Sequence, residues 1–172
     1  MFAPRRFLLQ EVVAFVLARE AKGFAGATTV EKGRPMKQFV TEESFWELFP
    51  EAQIGIVVAH NMKPTEEVAP EDAAAIARAL AEANGKADQH LESNTISQNE
   101  VVAVWREAYQ KFKTKKGARC SIENLLKRVL KGNPVGSITP SVDIYNTVSL
   151  THALPVGGED IDAMDGDIRL GI

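Results

Sequence analysis

The side chains best suited to chemistry lie between residues 106 and 131. Arg106, Lys111, Lys113, Lys115, Lys116, Arg119, Lys127, Arg128 and Lys131 place nine basic groups there, against only Glu107 and Glu123. The local net charge is +7, so the rest of a chain that totals −3 carries −10. A basic cluster on an otherwise acidic protein can dock a phosphate backbone, because each neutralised phosphate releases condensed counterions. Tyr109 and Phe112 interleave aromatic rings with Lys111, Lys113, Lys115 and Lys116, which adds to the case for RNA contact. The same charges also fit a solvated loop between two helices.

Other candidate groups carry weaker signals. Cys120 stands beside Arg119 at a helix start, where a thiol can be acidified, but no base is near in sequence and a structural thiol is the simpler reading. His60, His90 and His152 show no metal-ligand spacing, and with one cysteine a zinc site is not expected. The acidic stretch Glu159, Asp160, Asp162, Asp165 and Asp167 invites comparison with a calcium loop. Asp165 falls one residue late for that pattern, and no closing Glu follows it. A solvated turn with Gly166 at positive φ is the favoured alternative. Phosphate-binding glycine loops and a Gly-x-Ser-x-Gly nucleophile elbow are absent from the sequence. No cofactor and no metal are expected.

These residues must be positioned by secondary structure. Apolar Phe7, Leu8, Val12, Phe15, Val16 and Leu17 predict an amphipathic helix over 6–21, and 22–35 reads as linker. Thr41 is the expected N-cap of a short helix over 42–48. Ile54–Ala59 is a continuous, β-branched apolar run and predicts a buried strand. An alanine-rich helix follows over 71–91, with Asn84-Gly85 expected to break or bend it. A third helix is expected over 98–112, with Val101, Val104, Trp105, Ala108 and Phe112 on one face. A fourth begins at Ser121 and ends at Lys131-Gly132. A fifth covers 141–152, where Asp143 sits near the positive end of the helix dipole; a strand is the alternative there. Residues 155–167 read as a turn region, and 168–172 as the beginning of a strand.

At 172 residues, with 45% hydrophobic and 25% charged side chains, the chain has the balance of one ordinary globular domain with or without an appendage. A core of that size needs neither disulfide nor metal. The single thiol fits a reducing compartment. No apolar run approaches the roughly 18 residues that span a bilayer, and Val12–Ala18 is too short for a signal peptide. The fold class expected is α+β (an α/β mixture), with several helices packed on a short, incomplete sheet.

One stretch carries more than composition. Arg119-Cys-Ser-Ile-Glu-Asn-Leu-Leu-Lys-Arg-Val-Leu-Lys-Gly132 is followed by Ser137-Ile-Thr-Pro-Ser-Val-Asp-Ile-Tyr-Asn-Thr-Val-Ser-Leu150 and then by Leu154–Ile168. The Val-Asp-x-x-Asn helix, the Pro after it and the Asp-x-Asp-x-x-x-Gly turn resemble, in this order, the B3/B4 domain family. That family comprises the tRNA-editing domain of the phenylalanyl-tRNA synthetase β subunit and its free-standing relatives. Phe39–Val58 is similar to the start of the free-standing proteins, so the likeness runs over about 36–172.

The resemblance implies a division into an N-terminal extension over 1–35, or a start placed too early, and a B3/B4-like tRNA-binding domain over 36–172 that lacks its C-terminal strands. It implies a cytoplasmic protein of translation that binds tRNA or an aminoacyl-tRNA. DNA and membrane are not expected partners. Weak self-association through an unpaired sheet edge is expected. In the sharp form of this reading the protein hydrolyses mischarged aminoacyl-tRNA in trans, as a deacylase using a positioned water rather than as a full ligase. By the family pattern Asn146, Tyr145 and Gly157, with Asp143 beside them, would line the substrate pocket; by charge alone Lys111, Lys113, Lys115, Lys116, Arg119, Lys127 and Arg128 would meet RNA. Helix capping and packing is the alternative for Asp143 and Asn146. Tyr145 stands where the family has Thr, and Gly157 where it has His. The pattern's pocket Glu has no counterpart in this sequence. Glycine can neither relay a proton nor donate a side-chain hydrogen bond. Two alternatives follow: a non-catalytic module that binds an aromatic amino acid, and a fragment without function.

Overall fold

A computed structural model describes residues 12–17, 37–60 and 62–172. In chain order the elements are β1 (Val12–Leu17), β2 (Phe39–Thr41), α1 (Glu43–Leu48), β3 (Ile54–Ala59), α2 (Pro70–Lys86), α3 (Glu100–Gln110), α4 (Ser121–Leu130), α5 (Pro140–His152), β4 (Val156–Asp160) and β5 (Ile168–Leu170). The α+β expectation is borne out. The five expected helices downstream of residue 40 are present, each within a few residues of its expected bounds.

The N-terminal helix expected over 6–21 is corrected where the structure describes it. Val12–Leu17 is a strand, and it is the central one of a three-stranded parallel sheet ordered β3-β1-β4. Val12 pairs with Ile54 and Leu17 with Ala59 on one side, and Val13 pairs with Val156 and Leu17 with Asp160 on the other. The physical reason is local. Three of its six residues are valine and one is phenylalanine, types that suit a pleated surface better than a helix. These residues therefore belong to the same sheet as the expected 36–172 domain. The rest of that helix reading and the expected linker lie outside the described residues.

Two further strand readings change. β3 is an edge strand, with Ile56 38% and Val57 46% exposed, rather than a buried one. The turn region expected over 155–167 begins as strand β4, whose Gly157 and Gly158 offer no side-chain pattern but pair in register with Ala14 and Phe15. A separate two-stranded parallel sheet joins β2 to β5, with Phe39 opposite Ile168 and Thr41 opposite Leu170.

The main core is helical. Leu80, Ala83 and Ala87 meet Val102, Trp105, Cys120, Ile122, Leu126, Leu150 and Ala153 there. A second cluster gathers Phe45, Phe49 and Ala108 beneath Tyr109 and Phe112. The expected break at Asn84-Gly85 does not occur, and α2 runs on to Lys86. Asn84 is buried because its amide pins the chain after α4. Nδ2 donates to the Leu80 and Val135 carbonyls at 2.9 and 3.0 Å, and the Val135 N–H donates back to Oδ1 at 2.7 Å. α4 ends in a Schellman motif: the Asn133 N–H donates to the Arg128 carbonyl, the Gly132 N–H donates to the Val129 carbonyl, and Gly132 sits at φ +69°. Among the described residues no helix is long and apolar enough to cross a membrane.

Candidate functional site

The end of α3, the loop 111–120 and the first turn of α4 enclose a pocket of about 270 Å³. Its walls include Trp105 and Tyr109 from α3, Lys115 and Lys116 from the loop, and Arg119, Cys120 and Glu123 at the start of α4. The helices set this arrangement. Trp105 and Tyr109 are one turn apart on α3, and Glu123 lies in the first turn of α4, where a carboxylate suits the helix dipole. Gly117, at φ +82°, lets the loop turn sharply between the two lysines and Arg119.

Glu123 organises the floor. Its side chain is 4% exposed, and Arg106 binds it in a fork, with Nη2 at 2.6 Å from Oε1 and Nε at 3.0 Å from Oε2. Arg119 Nε reaches the same Oε1 at 3.3 Å. The hydrogen bonds to Glu123 raise the Arg106 pKa above its ordinary value. Around the pocket, one carboxylate thus stands against four cations: Arg106, Lys115, Lys116 and Arg119. Burial pushes the Cys120 thiol up to about 11 and raises the Tyr109 phenol. At 3% exposure within the main core, Cys120 fits the structural reading rather than that of an acidified thiol.

The basic cluster expected from the sequence is only partly brought together here. Lys115, Lys116 and Arg119 line the pocket, whereas Lys111, Lys113, Lys127 and Arg128 do not. Lys111 Nζ instead lies 5.1 Å from the centre of the Phe49 ring. Arg128 Nη2 donates to the Pro134 carbonyl at 3.4 Å. The aromatic interleaving is largely used inside. Phe112 is edge-on to both Phe49 and Tyr109 with ring centroids 6.2 and 5.7 Å apart, so Phe112 belongs to the second core cluster. Trp105 was not among the candidate site residues, and Arg106 was read only as part of the basic cluster. No local spacing announces the Arg106–Glu123 pair, because its members are 17 residues apart on different helices.

The second candidate group is on α5 and β4. Thr139 caps α5, its hydroxyl accepting from the Val142 N–H at 3.4 Å. Asp143 is 2% exposed, and both its carboxylate oxygens are engaged: the Ser137 hydroxyl donates to Oδ2 and the Ile138 N–H donates to Oδ1 at 2.9 Å. Asp143 therefore fastens the loop that enters the helix, which is the capping alternative. Asn146, one turn on, is 8% exposed; no hydrogen bond holds its amide among the described residues, and since no buried side-chain polar atom there lacks a partner, the amide keeps contact with solvent. Tyr145 is half-buried, and Gly157 is exposed on β4 with open space where a Cβ would stand.

In the acidic turn the Lys37 ammonium donates to the Ile161 and Met164 carbonyls, where the calcium comparison would have put an ion. Asp167 Oδ1 accepts from the Gln38 N–H at 3.0 Å, and Gly166 adopts the expected positive φ, +77°. Among the described residues no group of three or more His, Cys, Asp or Glu side chains could hold a metal.

Residues 104–172 match the family model of the B3/4 domain. This bears out the resemblance over that stretch, which contains the α3–α4 pocket together with α5 and β4. No curated protein and no solved structure matches the chain.

Proposed function

We propose that this protein is a B3/4-type module that binds tRNA or an aminoacyl-tRNA through the α3–α4 surface. The observation that carries the reading is the excess of cations around the pocket. Arg106, Lys115, Lys116 and Arg119 ring it with Glu123 as the one opposing carboxylate, inside the segment that matches the B3/4 family model. Glu123 orients the two arginines rather than cancelling the field, because both guanidinium groups remain about one-third or more exposed. The fixed floor and the two loop lysines together form a surface that attracts phosphate.

Hydrolysis in trans is the finer form of the proposal. Asn146 supports it, because its amide has no hydrogen-bond partner among the described residues yet keeps contact with solvent, and so is able to orient a water or a substrate carbonyl. Asp143 and Gly157 support binding without hydrolysis instead. The first is held by Ser137 and Ile138, and the second brings no proton-transfer group.

The test is a titration of fluorescent tRNA over a series of salt concentrations. Binding should weaken linearly in log Kd against log salt, and the double variant Lys115→Ala/Lys116→Ala should reduce the slope by about two. A folded chain that leaves tRNA free at low salt would refute the proposal. Tyrosyl-tRNA for phenylalanine then separates the finer readings. Hydrolysis above the blank that Asn146→Ala abolishes would establish editing. A flat time course from a tRNA-binding chain would leave a binding module.

A further inference from the structure

Four cations and two aromatic rings on one small cavity call for a more specific ligand than a phosphate backbone. We infer that the α3–α4 pocket seats a single phosphorylated nucleotide, with its base against Tyr109 and Trp105 and its phosphate on Lys115, Lys116 and Arg119. This rests on the nucleic-acid reading above and narrows it, from a surface that follows a backbone to a socket for one nucleotide unit.

Three observations carry it. The volume, about 270 Å³, is close to the roughly 300 Å³ at the lower end of small-ligand pockets, so the open cavity has room for about one nucleotide unit. The aromatic wall is continuous with the core: Trp105 is 9% exposed and Tyr109 half-buried, so neither ring must be ordered on binding. Finally, the Arg119 guanidinium is held from two sides, by Glu123 Oε1 at 3.3 Å and by the Ala118 carbonyl at 2.6 Å, while Lys115 and Lys116 remain exposed and free to close on a charged group. Stacking on aromatic rings tolerates any base, whereas the cations demand a phosphate. The ligand class is therefore a nucleoside monophosphate, either free or as a terminal unit of an RNA strand.

The experiment titrates the full chain with adenosine monophosphate, adenosine and inorganic phosphate, reading Trp105 fluorescence in a Trp46→Phe background. Adenosine monophosphate should change the emission and bind at least about tenfold more tightly than either adenosine or phosphate. Tyr109→Ala should weaken the monophosphate about tenfold and leave phosphate unchanged, and Lys115→Ala/Lys116→Ala should weaken both. Equal affinity for adenosine and its monophosphate, or affinity unchanged in the double variant, would overturn the inference. Competition with tRNA separates the two proposals. A chain that binds tRNA but not the monophosphate overturns the socket and keeps the tRNA reading. A chain that binds the monophosphate but not tRNA keeps the socket and overturns the tRNA reading. Displacement of the monophosphate by a tRNA ending in a 3′ adenosine, and not by a free phosphate of equal charge, would support a strand terminus as the source.

Discussion

Glu123 cannot leave its site without exposing what it cost to put it there. A buried carboxylate, its side chain 4% exposed, is held in the folded state by its partners, chiefly the fork from Arg106. The two arginines are not equivalent. Arg106→Ala removes two charge-assisted hydrogen bonds and leaves Glu123 buried with a single remaining contact, so it should destabilise the protein by about 2–4 kcal/mol. Arg119→Ala removes one longer contact from a half-exposed guanidinium and should cost less than about 1 kcal/mol. Urea unfolding of both variants checks the order, and equal costs would show that the fork is not what holds Glu123.

At the same scale, Cys120 ties stability to alkaline pH. Its thiol is raised from 9.0 to about 11 by burial, so above pH 9 the unfolded chain loses a proton that the folded chain keeps. The unfolded state then binds fewer protons, and stability falls as pH rises. The full contribution is present below pH 9 and is lost on the way to about 11, in total about 3 kcal/mol. Cys120→Ala should flatten that decline whatever its own baseline. Tyr109, also raised by burial, acts in the same direction at higher pH, so the comparison belongs between pH 9 and 10. A decline of the same steepness in the variant would rule Cys120 out as its source.

Elements succeed or fail by what flanks them, and the loop between α4 and α5 shows it. It has no regular structure, yet it is pinned at one end by Asn84 and at the other by Asp143. Asn84→Ala leaves the Val135 N–H and carbonyl buried without their partners, and a loss of about 2–4 kcal/mol should follow in thermal unfolding. Gly132→Ala should cost about 1–2 kcal/mol, because Gly132 holds φ +69° in the Schellman turn with open space around it, so the strain of the backbone is the whole effect. A neutral outcome for Asn84→Ala would mean that water replaces the amide.

The same contrast explains what the sequence could tell. Helices α1 to α5 were legible because periodicity and Gly132 mark them locally, although the expected caps were not found: Glu42 rather than Thr41 precedes α1, and Cys120 rather than Ser121 precedes α4. β1 was not: six apolar residues fit a helix face and a strand equally well, and only pairing with Ile54–Ala59 and Val156–Asp160 decides. β4 was missed because Gly157-Gly158-Glu159-Asp160 has no alternation to read, its pairing being supplied by a strand more than 140 residues earlier. The basic cluster of the candidate site was visible as charge. Its selection of Lys115, Lys116 and Arg119 over Lys111, Lys113, Lys127 and Arg128 was not, since that depends on how α3 and α4 pack. The Asn84 clamp gave a misleading signal, because Asn-Gly commonly breaks a helix and here its amide serves a distant loop instead.

For the whole molecule, the sheet leaves two edges to account for. β3 and β4 end the order β3-β1-β4, so the outer backbone groups of each pair with no strand among the described residues, but β4 carries Glu159 and Asp160 on its edge whereas β3 carries no charge. Ile54-Gly-Ile-Val-Val-Ala59 carries no charge, and Ile56 and Val57, which point to opposite faces, are 38% and 46% exposed. Natural edges are usually blunted by a charge, a proline or a bulge, and this strand has none of them. A second copy offers the same uncharged strand, and antiparallel pairing of the two across a twofold axis would satisfy both edges at once. The basic α3–α4 surface does not oppose this, because the cations lie on other elements. We expect concentration-dependent dimers in sedimentation velocity, little affected by salt because the contact is uncharged. Val57→Lys, which places a charge on the exposed edge, should shift the protein to monomer at every concentration while leaving its tRNA affinity unchanged, since Val57 is not part of the α3–α4 pocket. A wild-type chain that stays monomeric at high concentration would refute the pairing. Dimers that survive Val57→Lys would place the contact elsewhere on the surface.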